Sequence, residues 1–539
     1  MSPGRTPVGL ALAGVVVFAL AVRLLFLRED CTFQRTDEVM FVLSSLKLHE
    51  LVAPESVGRA LHELFWLFAF PWGYPVLLFT WGPLELAQAL GIAIREPTVI
   101  GPFAVLGALS TIPVFFLGRR LFSPAVGLAA AAAVAVLPSH AAQSRTIAAW
   151  ILAATLFIVV ILAYLRYRDT GTRRAAWLFG LALAVYLPSD NLAPGGVALL
   201  SLHPFVTSPG SPLARARALR DLFWRREVLA LPALSVAPLV VVHIVFLVAG
   251  RGTYGFIGHY LAGKVAPGVH VTPVLTGLVE NSGPALSLLL ILGAARGIIA
   301  LARRDQGLLL ALWAVAFGAP AALVVNPAST VVHAYLTPVL LPLLVLGCAA
   351  VVEAAEHVSA AARPLAHGLA VIVLALLIGW TAVMIPSRVY GLPFLGPADP
   401  IGLWGGETYR NDGAKTAGYF IRTSTRPGSV VLSDLRLFVG KYYFHRPTLQ
   451  PPEARGDAGR RPVSRPVDVV AVTRDYRHRV DTTAYTLAAT VTHGGVAVFY
   501  VYTSAPAEHR VLAAEDYDRR FDREFGRIEG LRYPVIWGD

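Results

Sequence analysis

Apolar runs of about twenty residues, the length a helix needs to cross a bilayer, recur along the chain between short polar turns. The first is Pro7–Leu27. Others fall near 97–118, 124–139, 147–165, 175–188, 191–206, 228–249, 283–301, 307–325, 332–352 and 366–386, about eleven in all. The pair at 175–206 is short and is broken by Pro188-Ser189-Asp190-Asn191. Arg28, Glu29 and Asp30 follow the first run and no small-x-small cleavage site does, so it reads as a retained anchor.

The pattern changes in two places. Residues 28–96 are too long for a bare connection and need structure of their own. A helix from Asp37 to Glu50 would set Val39, Val42, Leu43, Leu46 and Leu51 on one side. Leu61–Phe70 and Leu84–Ile94 are too short to span and read as helices lying in the membrane interface, where Trp66, Trp72, Tyr74 and Trp81 fit an aromatic belt. Near Arg388 the long apolar runs stop. A helical stretch at Gly413–Arg422 precedes strand-like runs at Ser429–Leu432, Val467–Val472, Tyr485–Val491 and Val496–Tyr502, the last pair joined by Gly494-Gly495. Ala514–Glu529 is charged and helical in pattern. The reading is a transmembrane module over 1–386 and a small α/β domain over 387–539.

Composition supports a multi-pass membrane protein. The 539 residues are 55% hydrophobic and only 15% charged, against roughly 25% charged for a soluble domain, and the mean hydropathy is +0.60. The net charge of +12 does not point to nucleic acid, because the arginines sit in turns between apolar runs. Alternate turns carry Arg119-Arg120, Arg166/Arg168/Arg173/Arg174, Arg215/Arg217/Arg220/Arg225/Arg226, Arg303-Arg304 and Arg363. The positive-inside rule then makes the N-terminus cytoplasmic and puts 28–96 and 387–539 outside, in a plasma (inner) membrane. Cys31 and Cys348 are far apart and imply no disulfide framework or metal cluster.

The order of these features carries a resemblance. A first span, the acidic pair Asp37-Glu38, interfacial helices and the segment "FFLGRRLFSPAVGLAAAAAVAVLPSH" are followed by "HAYLTPVLLPLLVLGCAA" at 333–350 and "AGYFIRTSTRPGSVVLSD" at 417–434. Together they resemble the GT-C membrane glycosyltransferases, in particular the protein O-mannosyltransferases and the lipid A aminoarabinose transferases. The resemblance implies a GT-C fold. It also implies transfer of a hexosyl or pentosyl group from a polyprenyl-phosphate carrier to a hydroxyl of a glycolipid, polysaccharide or protein, on the outer face and with inversion.

That chemistry needs a carboxylate to deprotonate the acceptor and cations at the departing phosphate. The resemblance places Asp37 at the family's catalytic acidic position, with Glu38 as the alternative base or an acceptor-orienting group. Arg145, with His140 beside it, has two readings: snorkelling to lipid headgroups or holding the donor phosphate. His333 and Tyr335 open a span and either anchor it at the interface or touch the lipid phosphate or sugar. Arg251, His259 and Lys264 form a basic outer loop suited to a pyranosyl phosphate. Asp37, Arg145 and His333 are expected to converge on one cavity near the outer surface. No acidic residue follows Arg145 in Ser144–Trp150, and adjacent helical residues such as Asp37 and Glu38 point about 100° apart. No metal ligands are therefore assigned and no cofactor is obligatory; a divalent ion completed by Asp190 or Glu280 is the less favoured alternative.

Two other classes compete: a transporter or flippase for a lipid-linked sugar, and a non-catalytic envelope assembly protein. Transporters place polar groups at the bilayer midplane on repeated halves, whereas here polar residues sit at span ends and no repeat is visible. For topology, a phosphatase reporter that works only outside the cytoplasm is expected to be active when fused after Asp539. Activity there of a reporter that works only in the cytoplasm would overturn the orientation.

Overall fold

A computed structural model describes residues 5–24, 36–51, 56–69, 73–147, 149–189, 193–248, 268, 270–323, 331–390, 413–435, 437–451, 466–474 and 476–526. In chain order its helices are α1 (Arg5–Leu24), α2 (Thr36–Lys47), α3 (Val57–Ala69), α4 (Tyr74–Ala89), α5 (Glu96–Leu109), α6 (Thr111–Leu121) and α7 (Pro124–Ala135). There follow α8 (Pro138–Gln143), α9 (Ala149–Thr170), α10 (Arg173–Tyr186), α11 (Ala193–Thr207), α12 (Pro212–Phe223) and α13 (Arg226–Val248). Next come α14 (Val271–Arg303), α15 (Leu308–Leu323), α16 (Val331–Glu356), α17 (Arg363–Tyr390), α18 (Ala414–Ser424), α19 (Leu437–Phe444) and α20 (Ala514–Phe525). Two compact units result: Met1–Phe26, Leu64–Val76 and Phe103–Gly405 form the first, and Leu27–Glu63, Leu77–Pro102 and Gly406–Asp539 the second.

Among the described residues, six helical stretches are long and apolar enough to cross a membrane: Pro7–Leu24, Glu96–Leu121, Trp150–Thr170, Val271–Arg303, Leu336–Glu356 and Arg363–Pro386. Pro124–Ala135, Gly195–Thr207 and Leu308–Leu323 are apolar but shorter. The expected number of about eleven full spans is thus not confirmed among the described residues, although a helix stands at each expected position. Local chemistry sets where they start. The Ser123 hydroxyl accepts from the Val126 N–H, with Pro124 opening α7. The Thr172 hydroxyl caps α10 through the Ala175 N–H. Each is a side-chain acceptor at an N-cap, meeting an N–H that has no partner within the helix. The tightest helix crossing is between α14 and α16. A Cβ on Gly293 would fall 2.0 Å from the Leu343 carbonyl oxygen, and one on Gly347 2.1 Å from that of Leu289. Only glycine lets these backbones touch, the small-residue mode of helix packing in membranes.

The second unit joins Leu27–Glu63 and Leu77–Pro102 to the C-terminal sheet. α2 runs through the expected helix, but Val39, Met40, Phe41, Val42 and Leu43 are all buried. It is therefore enclosed rather than one-sided; α19 packs against it, and the Ser45 hydroxyl donates to the Leu77 carbonyl at 3.1 Å. Six strands, β1 (Val431–Ser433), β2 (Thr448–Leu449), β3 (Val469–Thr473), β4 (Thr486–His493), β5 (Val496–Thr503) and β6 (Arg510–Ala513), form one sheet in the order β2-β1-β3-β5-β4-β6. β5 is antiparallel to both β3 and β4, while β2-β1-β3 and β4-β6 pair in parallel. The β4–β5 hairpin turns on Gly494 and Gly495, with φ of 56° and 77°, the left-handed pair a two-residue turn requires.

A buried ion cluster centres this unit. Lys415, 1% exposed, places its ammonium 2.5 Å from Glu96 Oε2 and 3.1 Å from Asp522 Oδ1. The Tyr443 hydroxyl donates to Glu96 at 2.6 Å and the Thr416 hydroxyl to Asp518 at 2.8 Å. The ammonium lies closer to Glu96, and the other cation at Asp522, Arg95, stands off at 3.7 Å. Burial, together with the charge of Glu96, pushes Asp522 up to about 7. Burial alone would lower Lys415, but Glu96 and Asp522 outweigh it and hold the ammonium above its ordinary range. An acid whose folded pKa exceeds its unfolded value of about 4 stabilises the fold while protonated, and that contribution is lost as pH rises toward 7. The thermal midpoint of the second unit should therefore fall between about pH 5 and pH 7.5, and Asp522→Asn should flatten that slope. A slope unchanged by the substitution would refute the assignment. Lys415→Met, which strands buried carboxylates, should cost about 3–5 kcal/mol.

Candidate functional site

The site begins with a charge inside an apolar helix. Arg23, in the last turn of α1, is fully buried. Its Nη1 donates to the carbonyls of Ala19 and Ala135, both at 3.0 Å, and Nη2 reaches the Val134 carbonyl at 3.4 Å. Ala135 and Val134 close α7, whose last carbonyls have no N–H of their own helix to accept from; the guanidinium caps them and meets the negative end of the helix dipole. Nε donates to Ser144 Oγ at 2.9 Å, and Nη2 to His140 Nδ1 at 2.9 Å. Arginine cannot accept a hydrogen bond, so His140 Nδ1 is the acceptor and its proton sits on Nε2, which faces Ser110 Oγ at 3.2 Å. The Ser110 hydroxyl in turn donates to the Gly107 carbonyl at 2.7 Å. Burial, reinforced by the Arg23 charge, holds His140 well below its ordinary range, so the ring is neutral and structural.

This network fixes the turn after α8. The Ser144 hydroxyl donates to the Ala141 carbonyl at 2.9 Å, and the Arg145 N–H to the Ala142 carbonyl at 3.0 Å. Ser139, His140, Gln143, Ser144, Arg145 and Thr146 are all buried, an unusual density of polar groups between apolar helices. Gln143 Oε1 accepts from the Thr337 hydroxyl at 3.0 Å, which ties the turn to α16. Gln143 Nε2 and Ser139 Oγ have no hydrogen-bond partner among the described residues.

The expected site residues divide accordingly. Arg145 is 1% exposed, so it is not a lipid-facing side chain snorkelling to headgroups; it points into the protein. His140 lies beside it but is committed to Arg23 and Ser110. His333 lies in the first turn of α16, one turn before Thr337, whose hydroxyl reaches Gln143; the side chains of His333 and Tyr335 are outside the described residues. Asp37 and Glu38 occupy the first turn of α2 in the second unit, and their side chains are likewise outside the described residues. Arg251, His259, Lys264 and Asp190 lie wholly outside them, and Glu280 is exposed. No group of three or more His, Cys, Asp or Glu side chains is placed to hold a metal among the described residues. Sequence reasoning missed Arg23, Gln143 and Thr337 as members of one network. The available signal was an arginine within the first apolar run, which is costly unless satisfied by protein.

Close approach of α5 is built into this arrangement: a Cβ on Gly107 would lie 2.2 Å from Ser144 Cβ. Gly107→Ala should lower stability by about 1–3 kcal/mol through overpacking. Combined with Ser144→Gly, which removes the opposing Cβ, the loss should be clearly less than the sum of the two single effects. Additive thermal-midpoint losses would show that the two residues do not meet.

Comparison with known proteins agrees with this architecture. No family model matches the sequence, and no curated protein matches it. Among solved structures, the chain is similar to the archaeal oligosaccharyltransferase AglB from Archaeoglobus fulgidus in complex with an inhibitory peptide and a dolichol-phosphate, with a TM-score of 0.56 and 13% identity over 88% of this chain and 70% of that one. It is also similar to ArnT from Cupriavidus metallidurans bound to undecaprenyl phosphate, with a TM-score of 0.55 and 14% identity over 95% of this chain and 100% of that one. Apo ArnT gives a TM-score of 0.54. From its spanning helices to its C-terminal sheet, the chain has the GT-C membrane glycosyltransferase fold.

Proposed function

We propose that this protein is an integral membrane glycosyltransferase that moves a sugar from a polyprenyl-phosphate carrier to an acceptor hydroxyl on the outer face of the membrane. The observation that carries the reading is the fold likeness over 95% of the chain to ArnT bound to undecaprenyl phosphate, joined to a buried arginine, Arg145, in a polar turn where the expected phosphate site lies. AglB in complex with dolichol-phosphate and a peptide supports the same donor class; glycolipid, polysaccharide and protein remain the acceptor classes.

In this reading the acceptor oxygen attacks the anomeric carbon as the carbon–oxygen bond to the lipid phosphate breaks. The phosphate leaves with the bonding electrons, the acceptor proton passes to the Asp37 carboxylate, and the anomeric centre inverts. A phosphate leaving group needs little protonation, so the protein's work is to activate the acceptor and to neutralise charge. Arg145, with Arg251 and Lys264 from the outer loop, supplies the charge; arginine adds paired donors that match phosphate oxygens. No metal-bound step is required.

The decisive measurement is transfer by purified full-length protein from a polyprenyl-phosphate sugar in liposomes, with product followed by mass spectrometry. Asp37→Asn should reduce the rate about 10²–10⁴-fold with its thermal midpoint retained. Unchanged transfer in that variant would remove Asp37 as base. Activity abolished by chelator and restored by magnesium or manganese would replace the metal-free account.

A further inference from the structure

The connection between α11 and α13 is the most basic stretch of the chain, with Arg215, Arg217, Arg220, Arg225 and Arg226 against Asp221 and Glu227. Its helix, α12, starts at a Ser211 cap with Pro212 in the first turn and buries none of its residues. One side nonetheless rests on the bundle. Phe223 meets Phe179 edge-on at 5.9 Å between ring centroids, and the Leu222 carbonyl accepts from the Tyr167 hydroxyl at 3.2 Å. These contacts set which side faces away.

At 100° per residue, Leu213, Arg217, Arg220 and Trp224 follow the i, i+4, i+7, i+11 spacing of a single stripe on the free side. Leu213 is 64% exposed and Trp224 77%. A leucine and an indole flanking two arginines on one exposed stripe are poorly suited to water. They suit the boundary between headgroups and acyl chains, where the apolar ends enter the hydrocarbon edge and the guanidinium groups reach up to phosphates.

Charge extends the surface. Arg225 Nη1 donates to the Gly171 carbonyl at 3.3 Å and its guanidinium sits 5.8 Å from the Tyr167 ring centre. Arg173 pairs with Glu227 at 3.1 Å. The α9–α10 turn, with Arg166, Arg168, Arg173 and Arg174, is thereby held on the same side as α12. Arg220 pairs with Asp221 at 3.0 Å on the exposed surface. Over the two connections nine arginines face three acidic residues, Asp169, Asp221 and Glu227, so the patch keeps a surplus of positive charge that an anionic surface complements.

We propose that α12 is an interfacial anchor that binds the phosphate headgroups of anionic phospholipids in the leaflet on this side of the protein. Leu213 and Trp224 dip into the acyl edge while Arg217 and Arg220 contact the headgroups. The proposal does not depend on the transfer reaction.

The test uses the full-length protein in nanodiscs of mixed phosphatidylcholine and phosphatidylglycerol at fixed proportions. Bromine is carried on the acyl chains of one lipid or of the other. The Trp224 signal is the fluorescence difference between the wild type and Trp224→Phe, an exposed and conservative change. A basic residue near an anionic surface is worth about 1 kcal/mol, so brominated phosphatidylglycerol should quench Trp224 about fivefold more strongly per mole than brominated phosphatidylcholine. Arg217→Gln with Arg220→Gln should abolish the excess while leaving some quenching by both lipids. Equal quenching by the two lipids in the wild type would overturn the headgroup preference, leaving a charge-blind anchor. Absence of quenching by either would overturn the anchor itself and assign the stripe to water or to a protein partner.

Discussion

The buried guanidinium of Arg23 is the constraint on which the candidate site rests. A charge taken out of water must be met on every side by acceptors, and those it finds come from α1, the end of α7, His140 of α8 and Ser144. Each of these contacts restricts a different stretch of chain. Together they hold the turn bearing Arg145 against apolar helices, where a flexible connection would otherwise run along the surface. The Thr337–Gln143 bond then brings the start of α16 to the same turn. Arg23 thus shapes the phosphate-binding candidate without being part of it, as a positioning residue.

The second unit solves the same problem by a different route. Lys415 is met by carboxylates rather than carbonyls, and one of its partners, Glu96, comes from a part of the chain more than three hundred residues earlier. An ion cluster of this kind adds little net stability over apolar packing, but breaking it is expensive because it strands charge. Its effect is to specify how the 77–102 segment joins the C-terminal sheet and helices. Arg422 works nearby in the same sense, donating to the carbonyls of Tyr442 and Tyr443 at 2.5 and 2.7 Å while stacking over Phe521 and Phe525.

A fold held by satisfied buried charges leaves its polar groups at helix ends. Apolar helices with close glycine contacts supply rigidity, and the turns between them carry the buried polar groups. The arginines divide into two kinds. Arg23 and Arg145 are enclosed by protein, whereas the arginines of α12 and its neighbouring turns lie open to whatever borders the bundle. Composition counts them alike; burial separates them.

Hydropathy alone determined the class of this protein and most of its element positions, because backbone in a bilayer must satisfy its own hydrogen bonds and continuous apolar runs of about twenty residues do so as helices. The strands of the C-terminal sheet, its Gly494-Gly495 turn and the helix opening at Asp37 were legible for similar local reasons: alternation, left-handed glycine and an apolar periodicity. β2 and β6 were not, since two- and four-residue strands carry no periodic signal and exist only because neighbours offer them hydrogen bonds. Nor could sequence decide whether Arg145 meets lipid or protein, that His140 is spent on Arg23, or that Glu96, Lys415 and Asp522 share one site. Those outcomes depend on which distant groups become neighbours when the helices pack, and the energy of a buried charge is set by those neighbours rather than by the residues beside it in the chain.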